Sequence, residues 1–125
     1  MLKLEGLIFG RVRTICALVV NGRSDFREWF EQIGERPRKR LRAVMANLAE
    51  GGNGGGVERF RRLAGRVYEI KEHSIPLRVF CFFHEDNLIV CTHGAKKPKP
   101  RRLRDEIDKV EALRQRLTSE GVGSD

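Results

Sequence analysis

Lys71, Arg78, His93, Lys96 and Lys97 are the side chains whose types and spacing could do chemistry together. They fall in one stretch, YEIKEHSIPLRVFCFFHEDNLIVCTHGAKKPKP, where apolar segments begin or end on a basic residue. A guanidinium in the run LRVFCFF is costly to bury without a partner. Arg78 is therefore either a phosphate clamp, its planar fork matching phosphate geometry, or an arginine that snorkels at the strand end or pairs with Glu69 or Glu85. Lys96, Lys97 and Lys99 are either anion contacts or a solvated basic exit loop. His93 either transfers protons, as histidine does near neutral pH, or is a satisfied strand-end residue. One reaction could use every one of these groups. RNA carries its own nucleophile, the 2′-OH. Its cleavage needs a base for that proton, cations for the charge developing on phosphorus, and an acid for the 5′-oxygen. Clustered cations can stabilise the pentavalent state electrostatically, with no metal required.

The elements around these residues must bring them together. Arg66 to Lys71, Leu77 to His84 and Leu88 to His93 have strand character. The short turns between them, at Ser74–Pro76 and Glu85–Asn87, predict an antiparallel meander. The middle segment is apolar on both alternating faces, which suits a central strand covered on both sides. Neighbouring antiparallel strands put the end of one beside the start of the next. Lys71 and Arg78 then share one end of the sheet. The exit at His93, Lys96 and Lys97 returns to that end.

Upstream, Val12 to Val20 is rich in β-branched residues and stops at Asn21-Gly22, which predicts a buried strand beside the meander. Residues 1–10 are either an edge strand or a frayed extension. Ser24 or Asp25 offers a helix cap, and Phe26, Trp29, Phe30 and Ile33 follow at helical spacing. Gly34 ends that helix and Glu35-Arg36-Pro37 opens a second. The second carries Leu41, Val44, Met45 and Leu48 on one side and Arg36, Arg38, Lys39, Arg40 and Arg42 on the other. GGNGGG at 51–56 predicts a flexible loop; it lacks the lysine and the strand–loop–helix context of a phosphate-cradling loop. A helix over about Arg101 to Leu117 closes the chain, and residues 118–125 suggest a frayed tail. Helices followed by strands, without strict alternation, predict an α+β fold.

With 125 residues and 40% hydrophobic content, the chain suits one domain with its core over about 12–117. A net charge of +8 favours a polyanionic partner, and Arg38, Arg42, Lys96, Lys99 and Arg101 are candidate RNA contacts. No apolar run is long enough to span a bilayer, and the start is too interrupted for a secretory signal, so a cytoplasmic location with no membrane partner is expected. Cys16, Cys81 and Cys91 sit in apolar contexts and form no CxxC pair, which predicts reduced core cysteines. His73, His84 and His93 are too scattered for a metal cage, so neither metal nor cofactor is expected.

The ordered set from Phe60 to Leu117 resembles the RelE/ParE superfamily of type II toxins, and most of all its phage-derived HigB-like branch. The resemblance rests on Tyr68-Glu69-Ile70-Lys71, on Arg78-Val79-Phe80 opening an aromatic strand, on His93-Gly94 followed by Lys96-Lys97, and on Glu106-Ile107 in the last helix. It is strong after Leu63 and architectural before it, from about Val12. It implies a RelE-like α+β toxin of a toxin–antitoxin system, with an N-terminal strand, a helical hairpin, a three-stranded meander joined by the first strand and a C-terminal helix. It further implies a ribosome-dependent mRNA endonuclease that blocks translation, and a cognate antitoxin encoded next door, of helix-turn-helix type. Lys71, Arg78 and Lys97, with Lys96 as alternate, match the family's mRNA-contacting positions, and His93 matches the HigB-like histidine. Two departures stand out: Glu69 replaces a frequent lysine, and Tyr68 is the chain's single tyrosine, so the C-terminal tyrosine of some members is missing. ParE-like relatives share the architecture but inhibit DNA gyrase. That alternative, and an inactive nucleic-acid- or antitoxin-binding remnant, remain open on the residues alone.

Overall fold

The structure, a computed structural model, describes residues 1–54, 59–72 and 74–123. Six strands form one sheet: β1 (Leu2–Phe9), β2 (Thr14–Val20), β3 (Phe60–Ala64), β4 (Val67–Lys71), β5 (Leu77–His84) and β6 (Leu88–Lys96), in spatial order β1-β2-β6-β5-β4-β3. Three helices cover it: α1 (Asp25–Gln32), α2 (Glu35–Ala49) and α3 (Pro100–Glu120). The fold is α+β, as the order of elements predicts.

β5 is central because all of Arg78 to Phe82 is buried and both its edges are paired. β2 joins the meander by pairing parallel to β6, from Thr14 opposite Leu88 to Ala17 opposite Cys91. A parallel neighbour needs a long crossover, and the α1–α2 hairpin supplies part of it. That hairpin packs on one face of the sheet, where Phe26, Leu41, Val44, Met45 and Leu48 meet Ile15, Ile70, Val79 and Ile89. α3 packs on the other face, setting Val110 and Leu117 against Leu18, Phe80, Phe82 and Val90. Alternation along β4, β5 and β6 thus sorts each side chain to one helical layer or the other.

The structure decides or corrects several expectations. Of the two readings of residues 1–10 the edge strand holds: residues 2–9 pair with β2 and Leu2 is only 1% exposed. The meander has four strands, because Phe60–Ala64 pairs with β4 through a turn at Gly65, whose φ of 53° suits a residue without Cβ. β6 runs on past His93 through Lys96, so Lys96 lies in the strand and not in an exit loop. α3 extends to Glu120, and the Gly123 amide donates to the Leu2 carbonyl at 2.7 Å, which ties 118–123 to β1. Residues 124–125 lie outside the described residues, as do Gly55 and Gly56 of the glycine run and His73. The described part of that run folds back on α2, the Gly52 amide donating to Asn47 O at 3.0 Å and the Gly54 amide to Asn47 Oδ1 at 2.9 Å.

Local chemistry explains the helix ends. Ser24 caps α1 by accepting from the Arg27 amide at 3.2 Å. Gly34, at φ 91°, starts α2 with Pro37 in the first turn. The three cysteines are buried and unbridged, and burial pushes the Cys16, Cys81 and Cys91 thiols up, which keeps them unreactive. Among the described residues no helix is long and apolar enough to cross a membrane.

Candidate functional site

The sheet end predicted to gather the basic residues is a pocket. Lys71, the last residue of β4, pairs with Arg78 in β5, and Arg78 pairs with Ala95 in β6. The ladder continues one step past β6, where the Lys97 amide donates to the Pro76 carbonyl at 2.8 Å. Pro98 and Pro100 then end the pairing, since neither carries an N–H, and α3 starts across the sheet. These constraints put Lys71, Arg78 and Lys97 on the face that α3 covers. With Arg61, Glu69, Pro98, Pro100 and Leu103 they line a pocket of about 330 Å³.

Arg78 unites the two readings of its sequence position. Its side chain is 10% exposed, its Nε lies 3.7 Å from Glu69 Oε1, and its Nη1 donates to the Leu77 carbonyl at 2.9 Å. Glu69 is its acid; Glu85 sits at the other end of the strand, beside His84. The guanidinium is thus held by a carboxylate and also lines the pocket. The positive end of the α3 dipole adds to the field there, because Pro100 and Leu103 belong to its first turn. That turn carries Arg101 and Arg102 and no acid, the reverse of what helix stability favours.

Residues 28–115 match the family described as "Phage derived protein Gp49-like (DUF891)". The chain belongs to this family. It is a phage-derived, toxin-like family related to the RelE-type toxins. The Gp49-like span runs from within α1 into α3 and includes every residue lining the pocket, while β1 and β2 precede it. No curated protein matches the chain.

Not every residue picked from the sequence reaches the pocket of this Gp49-like domain. His93 is 6% exposed and stacks on Phe80 with ring centroids 5.1 Å apart. Its Nε2 is 2.8 Å from Glu106 Oε2, and its Nδ1 is 2.9 Å from Thr92 Oγ1. Burial pushes the imidazole pKa down, against the opposing pull of Glu106. Nε2 thus faces the Glu106 carboxylate and Nδ1 the Thr92 Oγ1, whose own proton is donated to the Phe80 carbonyl at 3.2 Å. His93 therefore bolts β6 to α3, and it is not among the residues that line the pocket.

Lys96 pairs with Leu77 and, by alternation from Lys97, faces the α1–α2 side. Lys97, and not its alternate, is the lining residue. Lys99 caps α3 and Arg101 follows in its first turn, so both are exposed beside the pocket without lining it. Arg38 and Arg42 lie on α2, against the opposite face. Arg38 donates to the Glu31 carbonyl at 2.8 Å, and Arg42 sits 5.3 Å from the Phe30 ring centre. They rim a separate groove of about 490 Å³ with Leu7, Ile8, Phe26 and Met45, so the basic shoulder and the cationic pocket are two surfaces.

Arg61 is the lining cation that sequence reasoning missed. It stands opposite Glu69 in the β3–β4 register, with Nη2 3.0 Å from Glu69 Oε2. The signal for it was LAGRVYEIK, in which a glycine turn before β4 allows Phe60–Ala64 to fold back as a hairpin.

Proposed function

We propose that the protein is the toxin of a toxin–antitoxin pair and acts in the cytoplasm as a metal-independent endoribonuclease on mRNA at the ribosome. The observation that carries this reading is the convergence of Lys71, Arg78 and Lys97, from three successive segments, on one pocket. Membership of a phage-derived toxin-like family supports it. A sugar-phosphate backbone in the pocket would meet the Arg78 fork and two ammonium groups, all donors and none able to accept. Arg78 stays charged throughout and stabilises the pentavalent phosphorus. For the proton transfers, one of Lys71 and Lys97 first gives up its own proton to solvent and, as the neutral amine, takes the 2′-OH proton, while the other, still an ammonium, protonates the leaving 5′-oxygen; His93 is held away beneath α3.

The test is cell-free translation with the purified protein, mapping mRNA ends on and off ribosomes. Cuts that need the ribosome and vanish in Lys71→Ala and Arg78→Ala are expected. Intact mRNA on stalled ribosomes would overturn the nuclease reading.

The commitment of His93 to Glu106 favours one second reading, a toxin that binds without cutting. Arrested growth with uncut mRNA and inhibited DNA supercoiling would select the gyrase-directed form of it.

The antitoxin, encoded by the adjacent reading frame, is expected to present an acidic amphipathic segment to the α1–α2 groove. There Phe26, Phe30 and Met45 form an apolar floor beneath Arg38 and Arg42. Failure of the neighbouring gene product to bind the protein would remove this partner.

A further inference from the structure

Among the described residues lining the pocket, Glu69 is the sole acid. Its side chain is only 3% exposed, and a carboxylate buried to that degree requires cationic partners. Two are present, one on each neighbouring strand: Arg61 at 3.0 Å and Arg78 at 3.7 Å. Neither contact is an aligned fork. Glu69 Oε2 accepts no hydrogen bond with proper geometry, although the Arg61 Nη2 is within 3.0 Å of it. The carboxylate thus orients both guanidiniums by charge without locking up their donors. The Arg61 side chain remains 53% exposed, and it lines the same pocket.

Arg61, Glu69 and Arg78 form a cation–anion–cation row across β3, β4 and β5, on the face bearing Lys71 and Lys97. We propose that Arg61 is a fourth phosphate-binding cation of the pocket, and that Glu69 is a positioning residue that aims Arg61 and Arg78 at adjacent phosphates of one RNA strand. Two strand spacings and a two-residue offset separate the arginine backbones by roughly 10–12 Å. Their long side chains therefore suit neighbouring phosphates better than a single one. Glu69 also subtracts one charge from the pocket, which weakens its hold on ground-state RNA while keeping the forks oriented for the reacting phosphate. The proposal rests on the polyanion-binding reading of the pocket.

The test uses a short, fully 2′-O-methylated oligoribonucleotide, which cannot be cleaved, titrated over a range of salt, alongside mRNA cleavage in cell-free translation. In Arg61→Ala the slope of log K against log salt should fall in magnitude by about 0.7, the value for one lost single-strand phosphate contact. Glu69→Gln, an isosteric change, should tighten oligonucleotide binding severalfold and yet lower cleavage at saturating ribosomes at least tenfold. A merely structural Glu69 would weaken both and lower the melting temperature. If Arg61→Ala leaves the slope intact while Lys71→Ala reduces it, the proposal fails and the pocket reading survives. If Lys71→Ala also leaves the slope intact, both fail. Weaker binding with undiminished cleavage in Glu69→Gln would overturn its positioning role. Arg61 is half-exposed on an edge strand, so its variant keeps the test decisive should Glu69→Gln fail to fold.

Discussion

Gly94 follows the histidine in the motif that marks the end of β6, and its requirement for glycine comes from packing. A Cβ built at Gly94 would lie 2.2–2.3 Å from three atoms of the Trp29 indole. Carbon contacts normally sit at about 3.5–4.0 Å, so Gly94→Ala must push either β6 or the indole by more than ~1 Å. The indole has little room to retreat, because Phe26 and Phe30 are its neighbours on α1 at centroid distances of 6.2 and 6.4 Å. Overpacking of this kind costs about 1–3 kcal/mol. Given an unfolding entropy of about 2.1 cal/mol/K per residue, the melting temperature of a chain this size should fall by about 4–11 °C. The check is a double-mutant cycle by thermal or urea unfolding with Trp29→Leu. Removing the indole frees the space, so Gly94→Ala should cost at least about 1 kcal/mol less in the Trp29→Leu background. Additivity within about 0.5 kcal/mol would refute the steric account. The functional stake is the exit of β6. His93 is bolted to α3 on one face and Gly94 is pressed by α1 on the other, and the two contacts fix where Lys97 emerges.

Three further outcomes are expected. Burial depresses the folded-state pKa of His93, so the unfolded chain binds the extra proton first as pH falls. The His93 contribution to stability is therefore full above the ordinary imidazole pKa of about 6.5 and is lost below it, with a slope of at most about 1.4 kcal/mol per pH unit; His93→Gln should flatten the urea-unfolding profile between roughly pH 5.5 and 7. Lys97→Ala should reduce mRNA cleavage in cell-free translation by tenfold or more and Lys96→Ala by less than twofold, because the two face opposite sides of the sheet; equal losses would mean that the exit strand is not held as described. Arg42→Glu combined with Phe30→Asp should abolish pull-down of the antitoxin and leave mRNA cleavage within about twofold, which separates the groove from the pocket.

What was legible in the sequence was what local pattern dictates. The doubly apolar run of β5 made it central, and antiparallel connectivity alone carried Lys71, Arg78 and Lys97 to one end of the sheet. What was not legible depended on partners distant along the chain. β3 escaped notice because an edge strand can be polar on both faces; Arg61 and Arg62 in FRRLA are both exposed, so no alternation announces it. The contact of His93 Nε2 with Glu106 was not legible either, because nothing local shows that a helix crossing from the far side brings a carboxylate there. Arg38 and Arg42 were grouped with the site on charge alone, and charge does not say which face of a sheet a helix will cover.

Glu69 joins these cases. Taken alone it is a departure, an acid where the resemblance leads one to expect a lysine. Across the strands it is the counter-ion of Arg61 and Arg78. A lysine at 69 would meet two guanidiniums with no carboxylate between them, and its buried charge would be repelled by the largely buried Arg78 and, less strongly, by the half-exposed Arg61. Acid at 69 and arginine at 61 therefore read as one exchange: the cation moves to the edge strand, where it is half-exposed, and a buried anion takes its former place. If that is so, Glu69→Lys should be tolerated only with Arg61→Glu beside it. The single variant should lose stability by several kcal/mol, the range for an uncompensated buried charge of about 3–5 kcal/mol, and the double variant should recover most of it in urea unfolding. Equal stability of the single and double variants would show that the two positions are not coupled.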